Sequence, residues 1–492
     1  MKSFAIYLLG FLCLFTSFPR FVSGSETQKP NFLIILCDDL GIGDVQCFNP
    51  KNGKIKTPNI DRLAKQGMSF TDAHSGSSVC TPTRYGLLTG RYCWRTPLQK
   101  GVASGFGPSI ISADRMTLGK FFQGQGYDTA AIGKWHLNMK FMDPADSEKE
   151  LDGKPLKFTA PVGATSPDGP TTRGFDYFYG IHHARSMKSV LENDVVIKHD
   201  DPINFLPATE TKAVEYLQKR RDTKKPFFLY LPLSSPHTPI VPTKRWQGAS
   251  GLGAYADFVM QTDDVVGQVI KCLEKEKLAD NTIVIFASDN GCSRQAKINQ
   301  LKQKGHLVSA GFRGSKSDIW EGGHRVPFIA TWPGVIQPNS KCEQIICLTD
   351  LFATVAGVLD VDIPAGTCED SLSFESALRG KPVEVERTGV IHHSISGHFA
   401  YRTKEWKLLL ARGSGGWSHP TENKVSKSAP KGQLYDFTND PQETNNLFEA
   451  KPAVVEKLLE SLKRDIAAGR STKGPKSKND VESIELWKTK AK

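Results

Sequence analysis

The chain has 492 residues, of which 39% are hydrophobic and 23% charged, and it carries a formal net charge of +11. That length exceeds what one core usually supports and predicts a large domain with a smaller one attached, while the composition is that of a folded globular protein. The basic excess suits an anionic partner, but no zinc-finger spacing, RNA-recognition signature or basic zipper is present, which argues against nucleic acid.

At the N-terminus Lys2 precedes the apolar run Phe4 to Phe15, and Val22-Ser23-Gly24 supplies small residues for cleavage. Residues 1–24 read as a secretory signal peptide, because the run is shorter than the ~20 residues a bilayer span needs. The expected location is secreted or periplasmic, with no stable membrane insertion after cleavage. Export makes disulfides possible among the cysteines beyond Cys13, with Cys37, Cys47 and Cys93 near one another in sequence and Cys342, Cys347 and Cys368 likewise. No CxxC pair suggests zinc, and no Asn-x-Ser/Thr acceptor occurs.

The mature chain opens with Asn31-Phe32-Leu33-Ile34-Ile35-Leu36-Cys37, a continuous apolar run of the kind that forms a strand buried on both faces. It ends in Asp38-Asp39, two adjacent carboxylates that repel one another unless something positive lies between them. Thr57-Pro58 opens a predicted helix with Thr57 as its cap, ending at Gly67. Ser77 to Gly90 then reads as a loop feeding the first turn of a helix, where Pro82 needs no hydrogen-bond donor and the free N–H groups favour an anion. Arg84, about one turn beyond Cys80, can point the same way.

Cys80-x-Pro82-x-Arg84 followed by Leu88-Thr89-Gly90-Arg91 resembles the signature of the type I, formylglycine-dependent sulfatases of the arylsulfatase kind. One departure is Thr83, where many members carry serine. The resemblance implies an alkaline-phosphatase-like α/β fold, a large mixed sheet flanked by helices with a smaller C-terminal antiparallel subdomain. It also implies that a formylglycine-generating enzyme oxidises Cys80 to an aldehyde whose hydrate is the nucleophile.

Further along, Gly126 to Leu137 is a short strand with a cationic and aromatic tip. Alternate residues share a face, so Lys134 and His136 are expected in one pocket. Gly133-Lys134-Trp135-His136 is similar to the family's second motif, in which Lys134 holds sulfate and His136 is a base acting on the nucleophile's second hydroxyl. Pro226 to Leu233 is another buried strand, and its tip carries His237 between two prolines. By the resemblance His237 is a sulfate ligand or proton donor.

Tyr255 to Lys275 has helical spacing and reads as a crossover helix leading into Thr282-Ile283-Val284-Ile285-Phe286-Ala287-Ser288-Asp289-Asn290. This repeats the layout of the first strand. In open α/β sheets, sites form beyond the carboxyl ends of parallel strands, so Asp38, Asp39, Asp289 and Asn290 converge if the two strands are neighbours. Four oxygen side chains suit a hard cation, calcium before magnesium, and the oxygen of a hydrated aldehyde at position 80 would be a better fifth ligand than a thiol.

The glycine-rich stretch Gly311 to Pro327 matches neither a phosphate-binding loop nor a dinucleotide fingerprint, and resembles the sulfatase segment whose lysine, here Lys316, contacts sulfate. Leu351 to Val358 suggests a helix. From about Glu386 the pattern changes to short strands and a final amphipathic helix carrying Val454, Leu458, Leu462 and Ile466, followed by a basic tail from Lys473 expected to be solvated. The expected organisation is a signal peptide at 1–24, a catalytic domain at 25–385 and a C-terminal subdomain at 386–492.

The mechanism the resemblance implies is two-step covalent hydrolysis of a sulfuric ester. The hydrate attacks sulfur, His237 or Lys316 protonates the leaving oxygen, and His136 then removes a proton to expel sulfate. Lys134, Lys316 and Arg84 spread positive charge over the anion. A polar cluster of His182, His183 and Arg185 with His392, His393 and Ser394 is expected to face a sulfated carbohydrate, with His182 and His392 binding it. The competing readings are a phosphate or phosphonate ester hydrolase of the same superfamily, and a non-catalytic protein that binds sulfated glycans.

Overall fold

The computed structural model describes Met1 and residues 28–184, 187–382 and 387–488; the expected signal segment beyond Met1, Arg185 and Glu386 lie outside the described residues. A ten-stranded sheet forms the frame, in the order Ser340–Cys342, Met68–Phe70, Phe328–Thr331, Thr282–Ser288, Asn31–Asp38, Phe227–Pro236, Asp128–Lys134, Tyr177–Ile181, Ser189–Glu192 and Val195–His199. Its five central strands, Thr282–Ser288 to Tyr177–Ile181, run parallel.

Strand Asn31–Asp38 is buried along its whole length because the sheet is covered on both sides. Phe32, Ile34 and Leu36 enter a core with Leu87, Phe122 and Phe352, from helices Cys80–Thr89, Leu118–Gly124 and Leu351–Leu359. Leu33, Ile35 and Cys37 enter the opposite core with Leu63, Phe205 and Val266, from helices Pro58–Gln66, Pro202–Gln218 and Ala254–Lys275. Each such aliphatic side chain taken out of water contributes roughly 1.5–3 kcal/mol, which is why a continuous apolar run rather than an alternating one marks this strand.

A second, four-stranded antiparallel sheet comprises Val390–His393, Phe399–Arg402, Trp406–Leu409 and Gln433–Asp436 in sequence order. Helix Pro452–Ala467 buries Leu458 and Leu462 in the core that this sheet shares with Tyr92 and Trp94. No helix among the described residues is long and apolar enough to cross a membrane.

Three local expectations are corrected. Thr57 does not cap its helix, since its hydroxyl accepts from Gln46 N–H and donates to Asp61. The carboxylate of Asp263, from the crossover helix, instead receives the free N–H groups of Asn59 and Ile60. The basic tail is anchored as far as residue 488: Asp480 pairs with buried Arg91 at 3.0 Å, Asn479 accepts from Arg95, and Trp487 packs on the small sheet's core. The nine described cysteines are all free thiols, so none of the disulfides that export would permit is formed among them.

Candidate active site

Strands Asn31–Asp38 and Thr282–Ser288 are parallel neighbours with Cys37 opposite Ser288, so both acidic tips emerge at the same end of the sheet. Asp39 N–H donates to Asp289 Oδ1 at 3.2 Å and Asn290 Nδ2 to Asp39 Oδ1 at 2.8 Å. On the other side, Phe227–Pro236 delivers His237 and Asp128–Lys134 delivers Lys134, whose Nζ lies 2.5 Å from Asp38 Oδ2. Gly133 precedes that lysine with φ +135°, where a Cβ would stand 2.0 Å from the Pro232 carbonyl oxygen. Asp39 and His136 hold left-handed backbone angles, φ 66° and 57°, a conformation costing roughly 1–2 kcal/mol for a residue with a Cβ.

Cys80 is the first residue of helix Cys80–Thr89, which is buried throughout. The Thr83 hydroxyl bonds back to the carbonyls of Ser77 and Val79, both at 3.1 Å, and closes the loop ahead of the cysteine. A serine hydroxyl could make the same bonds, so the departure at position 83 keeps these contacts. Arg84 donates from Nε and one terminal nitrogen to Asp289 Oδ2 at 3.0 and 2.8 Å, and from the other to the Lys134 carbonyl at 2.9 Å. The small sheet holds the same loop: Ser77 Oγ and Ser78 N–H both donate to the His393 carbonyl at 3.1 Å. Ser317 N–H donates to the Ser78 carbonyl at 2.8 Å.

A pocket of about 80 Å³ opens on Cys80 and is walled by His136, His183, His237, Lys316 and Trp417. His136 Nε2 lies 3.0 Å from the Ala103 carbonyl, so this nitrogen carries the proton, and the buried Nδ1 has no hydrogen-bond partner. Burial first, then Lys134 and His183, push the ring well below the ordinary histidine range, leaving it neutral with a free basic nitrogen. Lys316 pairs with Asp39, whose other oxygen is 3.7 Å from His237 Nε2.

Asp38, Cys80 and Asp289 each offer an atom within 4.8 Å of the others, and so do Asp38, Asp39 and His237. Burial and the neighbouring Asp38 carboxylate push Asp289 up to about 7 against the pull of Arg84. Burial acts the same way on Asp38, yet Lys134, His237 and Arg84 together hold it well below the carboxylate range. Asp38 Oδ1 and Asn290 Oδ1 are buried without hydrogen-bond partners. Crowded carboxylates and unpartnered oxygens, with no thiolate needed, fit a hard divalent cation.

Not every expected residue reaches the pocket. Lys134 and Arg84 lie beneath it, fully buried and spent on Asp38 and Asp289. His182 is correctly placed beside His183 in sequence but turns away, its Nε2 on the Phe158 carbonyl at 3.0 Å and its ring against Phe106 and Phe141. His392 is also misassigned to the substrate side: it is fully buried, stacks on His324 at 3.8 Å and bonds the Ser75 carbonyl through Nδ1. Sequence reasoning missed Trp417, for which the Gly413-Ser414-Gly415-Gly416 run was the only available sign of a close-packed loop. A larger cavity, about 710 Å³, lies beside the first residues of Thr282–Ser288 between Leu63, Ile270 and Ile336, and holds none of these groups.

The Sulfatase family model matches residues 30–361, and a model described as N-sulphoglucosamine sulphohydrolase, C-terminal, matches residues 315–471. The chain is 30% identical over 486 residues to an N-acetylgalactosamine-6-O-sulfatase of Bacteroides thetaiotaomicron, covering 89% of this chain and 94% of that protein. It is 27% identical to the steryl-sulfatase of Homo sapiens, covering 90% and 88%. A solved structure from work on the metabolism of multiple glycosaminoglycans by Bacteroides thetaiotaomicron superposes with a TM-score of 0.77 at 28% identity, covering 89% of this chain and 99% of that one. These matches favour sulfuric esters over phosphate esters and catalysis over mere binding, and the chain belongs to the sulfatase family as a sulfuric ester hydrolase.

Proposed function

We propose that this sulfatase is calcium-dependent, that a separate enzyme oxidises its Cys80 to formylglycine, and that it removes sulfate from carbohydrates outside the cytoplasm after loss of residues 1–24. The observation that carries the reading is the buried ring of Asp38, Asp39, Asp289 and Asn290 beside Cys80, with two of its oxygens free of hydrogen bonds. Residues 25–385 would form the catalytic domain and 386–492 a subdomain that completes the pocket, a division supported by Trp417 in the pocket wall.

Asp38, Asp39, Asp289, Asn290 and the oxidised residue 80 would hold the ion, with calcium ahead of magnesium because the cage is mostly protein oxygen. Bound there, it supplies positive charge that acidifies a hydroxyl and polarises a sulfate oxygen. The hydrated aldehyde supplies the hydroxyl that a thiol lacks.

The remaining work falls to the chain's own side chains. Lys316 offers its ammonium to the sulfate from the pocket wall, while Lys134 and Arg84 hold positive charge beneath it. Either Lys316 or His237 gives a proton to the departing alcohol oxygen. His136, whose Nε2–H is committed to Ala103, takes a proton through Nδ1 in the second step.

A carbohydrate substrate is supported by the polar pocket wall and by the activity for which the N-acetylgalactosamine-6-O-sulfatase relative is named. The test is sulfate release from a panel of defined sulfated mono- and oligosaccharides, before and after chelation with EGTA. Release that stops on chelation and returns with calcium supports the reading. Release indifferent to chelation, or confined to sterol sulfates, contradicts it.

A further inference from the structure

Resting on the carbohydrate reading above, we propose that Arg294 and Trp417 form a second anion subsite at the mouth of the Cys80 pocket. It would recognise a carboxylate or sulfate group on the saccharide in addition to the ester being cleaved.

The charge pattern points outward. Arg294 is exposed and sits between Ser293 and Gln295, both of which line the pocket. Its guanidinium lies 4.7 Å from the centre of the Trp417 ring, and no carboxylate pairs with it among the described residues. Other arginines are committed differently: Arg84 is spent on Asp289, and Arg325 on Asp72 and Glu321. Among the described residues no carboxylate lines the pocket. A guanidinium presents a rigid fork of donors suited to two oxygens of one anion, and its contact with a partly exposed indole is weak enough to be exchanged for that pairing.

The mounting is rigid where it matters. The backbone N–H of Trp417 donates to Ser317 Oγ at 3.0 Å and to Asp318 Oδ1 at 2.9 Å. The other oxygen of Asp318 accepts from Ser315 N–H at 2.9 Å, so one buried carboxylate fixes the backbone from which the indole projects relative to Lys316. Lys316 N–H in turn donates to the Cys292 carbonyl at 2.9 Å, in the loop that leads from Asp289-Asn290 to Arg294. The subsite is thus held by the loops that carry the acidic ring and the sulfate lysine. The partly exposed indole offers an apolar surface for the C–H face of a sugar, and the arginine offers charge beside it.

The test compares wild type, Arg294→Ala, Arg294→Lys and Trp417→Ala on matched sulfated disaccharides: one bearing a hexuronate, its carboxyl-reduced counterpart, one bearing a second sulfate, and its singly sulfated counterpart. Arg294→Ala should lower the ratio of kcat/KM for acidic over neutral counterpart by about tenfold, chiefly through KM, with partial recovery in Arg294→Lys. Trp417→Ala should weaken all saccharides relative to 4-nitrophenyl sulfate. A loss confined to the hexuronate pair identifies a carboxylate, and one confined to the doubly sulfated pair a sulfate. An unchanged ratio in Arg294→Ala on both pairs overturns the subsite and leaves the carbohydrate reading standing. Wild-type protein that cleaves 4-nitrophenyl sulfate but no saccharide overturns both.

Discussion

Two buried charge clusters lie on either side of the nucleophile loop, and they solve the same electrostatic problem differently. In the acidic ring, Asp38, Asp39 and Asp289 meet Lys134, Lys316 and Arg84, yet Asp38 Oδ1 and Asn290 Oδ1 have no partner. In the second cluster, Asp72, Glu321 and Glu443 meet Arg325, Arg402 and Lys407, and none of their carboxylate oxygens is left unpartnered. His74 Nε2–H donates to Asp72 at 2.6 Å and its Nδ1 faces His324 Nδ1 at 3.1 Å, while His324 Nε2 lies 3.0 Å from Lys407 Nζ and 3.2 Å from the Ile319 carbonyl. Lys407 donates to Glu321 and Glu443, at 3.1 and 2.8 Å. A cluster with its oxygens matched joins the two sheets; a cluster with oxygens to spare is shaped for something that arrives.

The sharpest way to break this contrast is to remove the nucleophile. Cys80→Ala should cost activity on the order of 10⁶-fold, the scale seen when a nucleophile is removed elsewhere, while thermal unfolding stays close to wild type. His136→Asn should fall between about 10² and 10⁴-fold in kcat, the usual weight of a general base, measured on the best saccharide found. Equal unfolding defects in these variants would put both residues in the packing rather than the chemistry.

In the second cluster the expected loss is of stability. Lys407→Met strands Glu321 and Glu443 without their shared cation and should cost about 3–5 kcal/mol in urea unfolding. The rise in melting temperature on adding calcium should survive in Lys407→Met and vanish in Asp38→Asn, since binding to the native state alone stabilises it. Loss of the calcium increment in both would merge the two clusters into one.

A smaller effect concerns acid. Burial pushes His182 down to about 4 from 6.5, so the folded state resists a proton that the unfolded chain accepts. The stability this gives is present above pH 6.5 and is lost as pH falls from there towards 4. His182→Leu should flatten the slope of unfolding free energy in that window by up to about 1.4 kcal/mol per pH unit.

Much of the acidic ring was legible because its parts announce themselves locally. Asn31–Asp38 and Thr282–Ser288 are unbroken apolar runs ending in carboxylates, and parallel pairing then brings the ends together. The second cluster was not legible. Val390–His393 is buried at every position, so alternation gave no sign of which way His392 faces, and it was read as reaching substrate. The motif around Lys134 points to sulfate and says nothing of Asp38, nearly a hundred residues earlier in the chain and 2.5 Å away in space. Arg294 and Trp417 meet only because the loop of Trp417 closes on Ser317 and Asp318 while the loop before Arg294 closes on Lys316, contacts no spacing rule encodes.

The most direct measurement is the mass of the proteolytic fragment containing residue 80, from protein made alongside a formylglycine-generating enzyme and shown to release sulfate. An aldehyde or its hydrate in place of the thiol, in proportion to specific activity, is the predicted result. Full activity in protein whose fragment carries only the unmodified cysteine would contradict it.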